Sequence, residues 1–176
     1  MKKTILKQSR LLVMLFVLLS WACSNDDDVV EITTAEKLIG TWTTSDVNVA
    51  ASVGGQSITD YLVDVVGLSP TEAAAQNAIF EALLVSELTG SLTFNADNTY
   101  TTNFGGDTGG GTWSLSSDEK TLTLVDGTET VVVTIVSITG SLLNASITDT
   151  INEDLDNDPG TPEVAILVLA DITMVQ

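Results

Sequence analysis

The chain has 176 residues, with 24 Asp and Glu against six Lys and Arg, no histidine and one cysteine. That length suits a single domain, and one cysteine excludes an intramolecular disulfide framework. A formal charge of −18 repels phosphate backbones and anionic headgroups, which argues against nucleic-acid binding and against electrostatic docking on an acidic membrane.

Four of the basic residues, Lys2, Lys3, Lys7 and Arg10, precede an apolar run from Leu11 to Leu19 and then Ser20-Trp21-Ala22-Cys23. A charged start, a short apolar stretch and a small residue before a cut make a secretion leader, and the run falls short of the roughly 20 residues of a spanning helix. Ending in Cys23, the leader resembles a bacterial lipoprotein signal, although Ser20 stands where such signals usually carry leucine. The resemblance implies that residues 1–22 are removed and that Cys23 is lipidated as the first residue of the mature chain. Residues 23–35 then form a tether whose Asn25-Asp26-Asp27-Asp28 is similar to the acidic run of surface-exposed lipoproteins of Gram-negative bacteria. The mature chain keeps two cations, Lys37 and Lys120, against all 24 carboxylates, a formal charge of −22. Membrane attachment rests on the anchor's buried methylenes and needs no basic patch.

Residues 36–176 carry the folded domain. Thr34–Ile39 has room for one helical turn, and Gly40-Thr41-Trp42-Thr43-Thr44 reads as a first strand. Ile58, Tyr61, Leu62, Val65 and Val66 recur on one face of a helix stopped by Gly67. Ser69-Pro70-Thr71-Glu72 combines an N-cap serine, a proline at the first helical position and a capping-box glutamate. It opens a second helix to about Leu88, on which Ile79, Phe80, Leu83, Leu84 and Leu88 share a face. Residues 57–88 are thus a helical hairpin inserted after the first strand.

Strands follow at regular spacing. Leu92 and Phe94 alternate with Ser91 and Thr93, Asn95-Ala96-Asp97-Asn98 makes a turn, and Tyr100, Thr102 and Phe104 alternate in the return strand. Gly105–Gly111 has no following helix and no lysine, and reads as a flexible hairpin loop rather than a phosphate cradle. Gly111–Leu115 and Lys120–Leu124 form the next pair. The last three strands, near 130–138, 141–151 and 163–173, point apolar residues to both faces, so the helical hairpin or a partner is expected to cover their outer side. The total is eight strands in a meander, which an up-and-down antiparallel barrel closes without exposed edges.

Gly40-Thr41-Trp42, the hairpin Phe94-Asn95-Ala96-Asp97-Asn98-Thr99-Tyr100 and the second Gly111-Thr112-Trp113 together resemble the lipocalin-like domain lipoproteins of Gram-negative bacteria over about residues 36–176. The resemblance implies a mainly β, lipocalin-like eight-stranded barrel, held at the outer membrane or the cell surface. Lipocalins proper pack an arginine over the first tryptophan. The mature chain has none, so the floor of this barrel closes differently.

The residue inventory weighs against catalysis: histidine is absent, the single cysteine is the anchor, and no nucleophile motif appears. Asp154, Asp156 and Asp158 alternate in a loop that offers oxygen ligands to calcium, without the glycine and closing acid of an EF-hand. Trp42, Phe94, Tyr100, Phe104, Trp113 and Leu115 face the barrel interior, either as packing or around a ligand. The expected function is non-enzymatic binding of a small apolar molecule or a glycan. The alternative is a filled barrel that docks another envelope protein.

Overall fold

In the computed structural model, residues 32–127, 129–155 and 163–176 are described, and Ile32–Gln176 form one compact unit. The leader, Cys23 and the acidic run lie outside the described residues, as do Asp156 and Asp158.

The chain enters through α1 (Thr34–Leu38), started by a capping box in which the Thr33 hydroxyl accepts from the Glu36 N–H and the Glu36 carboxylate accepts from the Thr33 N–H. Its last residue, Leu38, is fully buried, and its carbonyl accepts the indole N–H of Trp42 at 2.8 Å. Trp42 lies in β1 (Gly40–Val53), nine residues longer than the alternation around Trp42 suggests. A bulge between Thr44 and Asp46 shifts the phase of that alternation, so Val47, Val49 and Ala51 continue the inner face that Trp42 begins. The bulge also makes β1 the seam of the barrel. Gly40–Thr43 pair with β3 (Gly90–Phe94), while Thr43–Ser52 pair with β9 (Val164–Val175).

Between the two seam partners run β4 (Thr99–Phe104), β5 (Asp107–Leu115), β6 (Thr121–Asp126), β7 (Glu129–Ile138) and β8 (Leu142–Glu153), each antiparallel to the next. The eight strands close into the expected antiparallel barrel, and the two-residue β2 (Gln56–Ser57) extends only the tip of β1. The glycine-rich stretch is not a loop. Gly105 and Gly106, with φ of 59° and 90°, form a two-residue turn whose left-handed backbone glycine adopts without strain, and Asp107–Gly111 are already β5. Gly111 meets the Val125 carbonyl so closely that a side chain there would displace the β5–β6 pair.

After β2 come α2 (Ile58–Tyr61), a π-helical turn over Leu62–Val66, and α3 (Pro70–Glu87). Gly67 caps the turn in the left-handed conformation and donates its N–H to the Leu62 carbonyl. The wide turn rotates the apolar face: Ile58 and Leu62 are buried, but Val65 is 60% exposed. On α3 the inward face is Ala73, Gln76, Phe80 and Leu84, while Ile79 and Leu83 point to solvent at 64% and 60%. Alanines surround the whole helix, so its sequence pattern does not single out one face.

Both helices rest on the inner face of the long strands, where Ile166 and Val168 of β9 continue the ladder of Ala170, Ile172 and Met174. They cap the mouth of the barrel and leave its outer wall uncovered: Val132, Val136, Leu167 and Leu169 stay exposed. Antiparallel sheet tolerates such a wet face, whereas the mouth left open would wet the barrel's inner ladder.

Candidate functional site

The two ends of the barrel are built differently. At the floor, α1 plugs the opening, Phe94 and Trp113 meet edge to face with centroids 5.5 Å apart, and the Trp113 indole donates to the Asn95 carbonyl at 3.2 Å. The turn holding that carbonyl is tied down by Asp97, whose carboxylate accepts from the Thr99 hydroxyl and N–H and is thereby held below the ordinary carboxylate range.

Towards the mouth the packing opens into a cavity of about 230 Å³. Leu92, Leu122, Leu124, Val133 and Ile172 are among the apolar residues of its wall. β4 supplies the polar part, because its inward positions Tyr100, Thr102 and Phe104 all line the space. Burial first, and the Asp126 carboxylate second, push the Tyr100 phenol upward, so it stays a neutral hydroxyl at physiological pH. The Thr102 hydroxyl oxygen is buried and, among the described residues, has no hydrogen-bond partner. A buried hydroxyl without a partner costs about 1–3 kcal/mol, so native structures rarely leave one in a wall that nothing touches.

Immediately under α3 lies a second space of about 160 Å³, lined by Leu84, Glu87, Ile151 and Val168 among others, with Asp149 at an inward position of β8. Leu88 and Ile147 border both spaces and stand between them. Leu88 is fixed there by the C-terminal end of α3: its N–H reaches the Leu84 carbonyl at 3.1 Å and its own carbonyl accepts the Thr44 hydroxyl at 3.1 Å. At the next residue, the Thr89 carbonyl accepts the Gly105 N–H, joining the helix end to the β4–β5 turn.

Of the six side chains expected to face a ligand, Tyr100 and Phe104 line the larger cavity. Trp42, Phe94 and Trp113 are buried in the floor, and Leu115 packs beside them. Asp154 is exposed at the end of β8, and its calcium partners Asp156 and Asp158 lie outside the described residues. Among the described residues no three acidic or sulfur side chains gather as a metal site. Sequence reasoning missed Leu88, Ile147, Asp149 and Thr102 as site residues. The one signal available was Asp149, a charge in an otherwise apolar inward ladder of Leu143, Ala145, Ile147 and Ile151.

No family model matches the chain, and no curated protein matches it. Among solved structures it is similar to the crystal structure of a DUF4847 family protein from Bacteroides vulgatus ATCC 8482, at 13% identity and a TM-score of 0.38, over 78% of this chain and 92% of that one.

Proposed function

We propose that the chain is a lipid-anchored protein of the outer membrane, displayed at the cell surface in the sense its acidic tether implies, whose barrel binds a small apolar molecule without transforming it. The observation that carries the binding reading is the apolar cavity inside the barrel, with the buried Thr102 hydroxyl in its wall and Leu88 at the end of α3 on its border. An apolar cavity of about 150 Å³ holds benzene, so by the same packing 230 Å³ takes about nine heavy atoms. That is smaller than drug-sized sites of roughly 300 Å³ and upward, and the scarcity of polar lining disfavours a glycan. The non-enzymatic reading rests on the mature chain's lack of histidine and arginine. Calcium at Asp154, Asp156 and Asp158 is no part of this reading.

Native mass spectrometry of the soluble chain from Ser24, purified from a bacterial host and compared before and after denaturing extraction, tests it. A reproducible mass excess lost on extraction is expected, and a bare mass under every growth condition would overturn the binding reading. Lipidation is checked separately: the full chain should carry an acyl mass on Cys23 and partition with membranes, and Cys23→Ser should abolish both.

The second reading, a docking module for another envelope protein, is favoured by the uncovered apolar side chains Ile79 and Leu83 on α3 and Leu167 and Leu169 on β9. A bare monomer that gains a partner in crosslinked membranes, and loses it on Leu167→Lys, would move the assignment there.

A further inference from the structure

Resting on the binding reading above, we infer that Leu88, together with Ile147, sets the length of the bound molecule: it ends the deeper cavity at an unbranched chain of about nine heavy atoms and keeps that chain out of the space under α3.

The two spaces lie end to end along one wall. On β8 the inward residues Leu143, Ala145 and Ile147 line the deeper space, and Ile147, Asp149 and Ile151 line the one beneath α3. On β9, Ile172 and Met174 belong to the first and Val168 and Ala170 to the second. The step between them falls at the cross-strand pair Ile147 and Ala170, where β8 offers a large side chain and β9 only a methyl. Leu88 comes to that level from the end of α3 and borders both spaces. The core parts at the same place. Leu88 and Ile147 pack with the cluster of Trp42 and Met174, whereas Leu84 and Ile151 pack with that of Ile58 and Leu62.

A stop must be held, and the backbone at Leu88 is held from both sides. Its carbonyl accepts the Thr44 hydroxyl, and that hydroxyl oxygen in turn accepts the Gly90 N–H at 3.3 Å. Between them the Thr89 hydroxyl donates to the Val85 carbonyl at 2.7 Å, and the Thr89 carbonyl takes the Gly105 N–H. The β4–β5 turn lies directly on the helix end, for a side-chain carbon at Gly105 would stand 3.5 Å from the Glu87 Cα. With its backbone fixed, Leu88 moves only between staggered rotamers.

Each buried methylene tightens binding about fourfold, so a chain lengthened within the cavity gains at every step and one lengthened against Leu88 gains nothing. Joined, the spaces of about 230 and 160 Å³ would admit about fifteen heavy atoms.

Calorimetric titration of the chain from Ser24, which keeps the whole unit Ile32–Gln176, into 1-hexanol, 1-octanol, 1-decanol and 1-dodecanol reads the stop. Neutral alcohols leave the carboxylates Glu87 and Asp149 of the upper space out of the comparison. Affinity is expected to climb about fourfold per methylene up to octanol, which has the size of the deeper cavity, and then to level off. In Leu88→Ala the climb should continue, so that dodecanol binds about tenfold or more tightly than octanol. Adding Ala170→Leu, which refills the space under α3, should return the limit to octanol. Octanol uses only the deeper space, so its retained binding shows that the variants fold, and if Leu88→Ala loses it, Leu88→Val carries the same test. An unbroken climb to dodecanol in the unaltered chain, or a limit that both Leu88 variants leave at octanol, would overturn the stop and keep the cavity reading intact. If no alcohol binds the unaltered chain, the binding reading falls, and this inference with it.

Discussion

The floor and the mouth are made from the same eight strands, yet one is filled by packed side chains and the other is spanned by helices with space beneath them. At the floor, a five-residue helix, two tryptophans and Phe94 fill the space, and each indole N–H ends on a backbone carbonyl. At the mouth a much longer helix leaves two spaces beneath it and is tied to the barrel chiefly at its ends. Its tail is fastened to Thr44 and Gly105, and its first turns bond across to the Leu155 carbonyl through Gln76. More helix therefore does not mean tighter closure. What differs is whether aromatic volume fills the opening or merely roofs it.

The sharpest way to break the contrast is at Trp42, fully buried at the floor. Trp42→Ala should cost about 3–5 kcal/mol by the usual toll of a large cavity, and a urea melt followed by circular dichroism would read it. The matching change at the mouth, Leu88→Ala, should cost only about 1–2 kcal/mol, because Leu88 is half-buried and already borders empty space on two sides. Equal costs would mean that the mouth is as tightly built as the floor.

Thr102→Val is expected to act with the opposite sign. Replacing a partnerless buried hydroxyl by a methyl should raise the midpoint of thermal unfolding of the ligand-free chain, by about 1 kcal/mol of stability. A loss of stability instead would show that the hydroxyl is satisfied by water. Ser69→Ala removes the capping box of α3 and should cost about 0.5–1 kcal/mol. Hydrogen exchange should show the loss in the amides of α3, leaving β3 to β6 protected.

The smallest effect is on acid stability. Glu36, Glu72, Asp97 and Asp118 are all held below their ordinary values, in each case chiefly by hydrogen bonds from neighbouring hydroxyl or backbone groups. A carboxyl with a lowered folded-state value stabilises the fold above the unfolded value, here 4.5 for Glu and 3.8 for Asp, and that stabilisation is lost as pH falls through the folded value. Three of the four lie at the floor, in α1 and the β3–β4 and β5–β6 turns, and only Glu72 is on the mouth helix. Asp118→Asn should flatten the acid limb of a pH–stability profile, and no change at all would mean that these turns keep their shape with protonated acids.

What could be read from sequence follows the same division. The floor is local chemistry: Asp97 reaches Thr99, Glu36 reaches Thr33, and Asp118 reaches Ser116, each within three residues, so the turns and the cap are legible as motifs. The barrel closure is legible too, since eight alternating strands have few other ways to hide their edges. The second half of β1 is not, because its bulge shifts the apolar phase between Thr44 and Asp46. Nor is the β4–β5 turn, where Gly109–Gly111 mask a two-residue turn at Gly105 and Gly106. The cavity is hardest of all. Leu88 and Ile147 lie 59 positions apart and meet only once the barrel has closed, and whether Thr102 finds a partner is a property of the folded space around it.

One arrangement described above also equips the domain with a built-in optical contrast. Both indoles from Ile32 onward, Trp42 and Trp113, belong to the floor, whereas Tyr100 borders the cavity. Tryptophan emission therefore reports on the sealed end alone, and an opening of α3 that leaves the floor intact passes unseen by it. A fluorophore placed at exposed Leu83 would watch the other end, and the two colours together would separate unroofing of the barrel from its collapse.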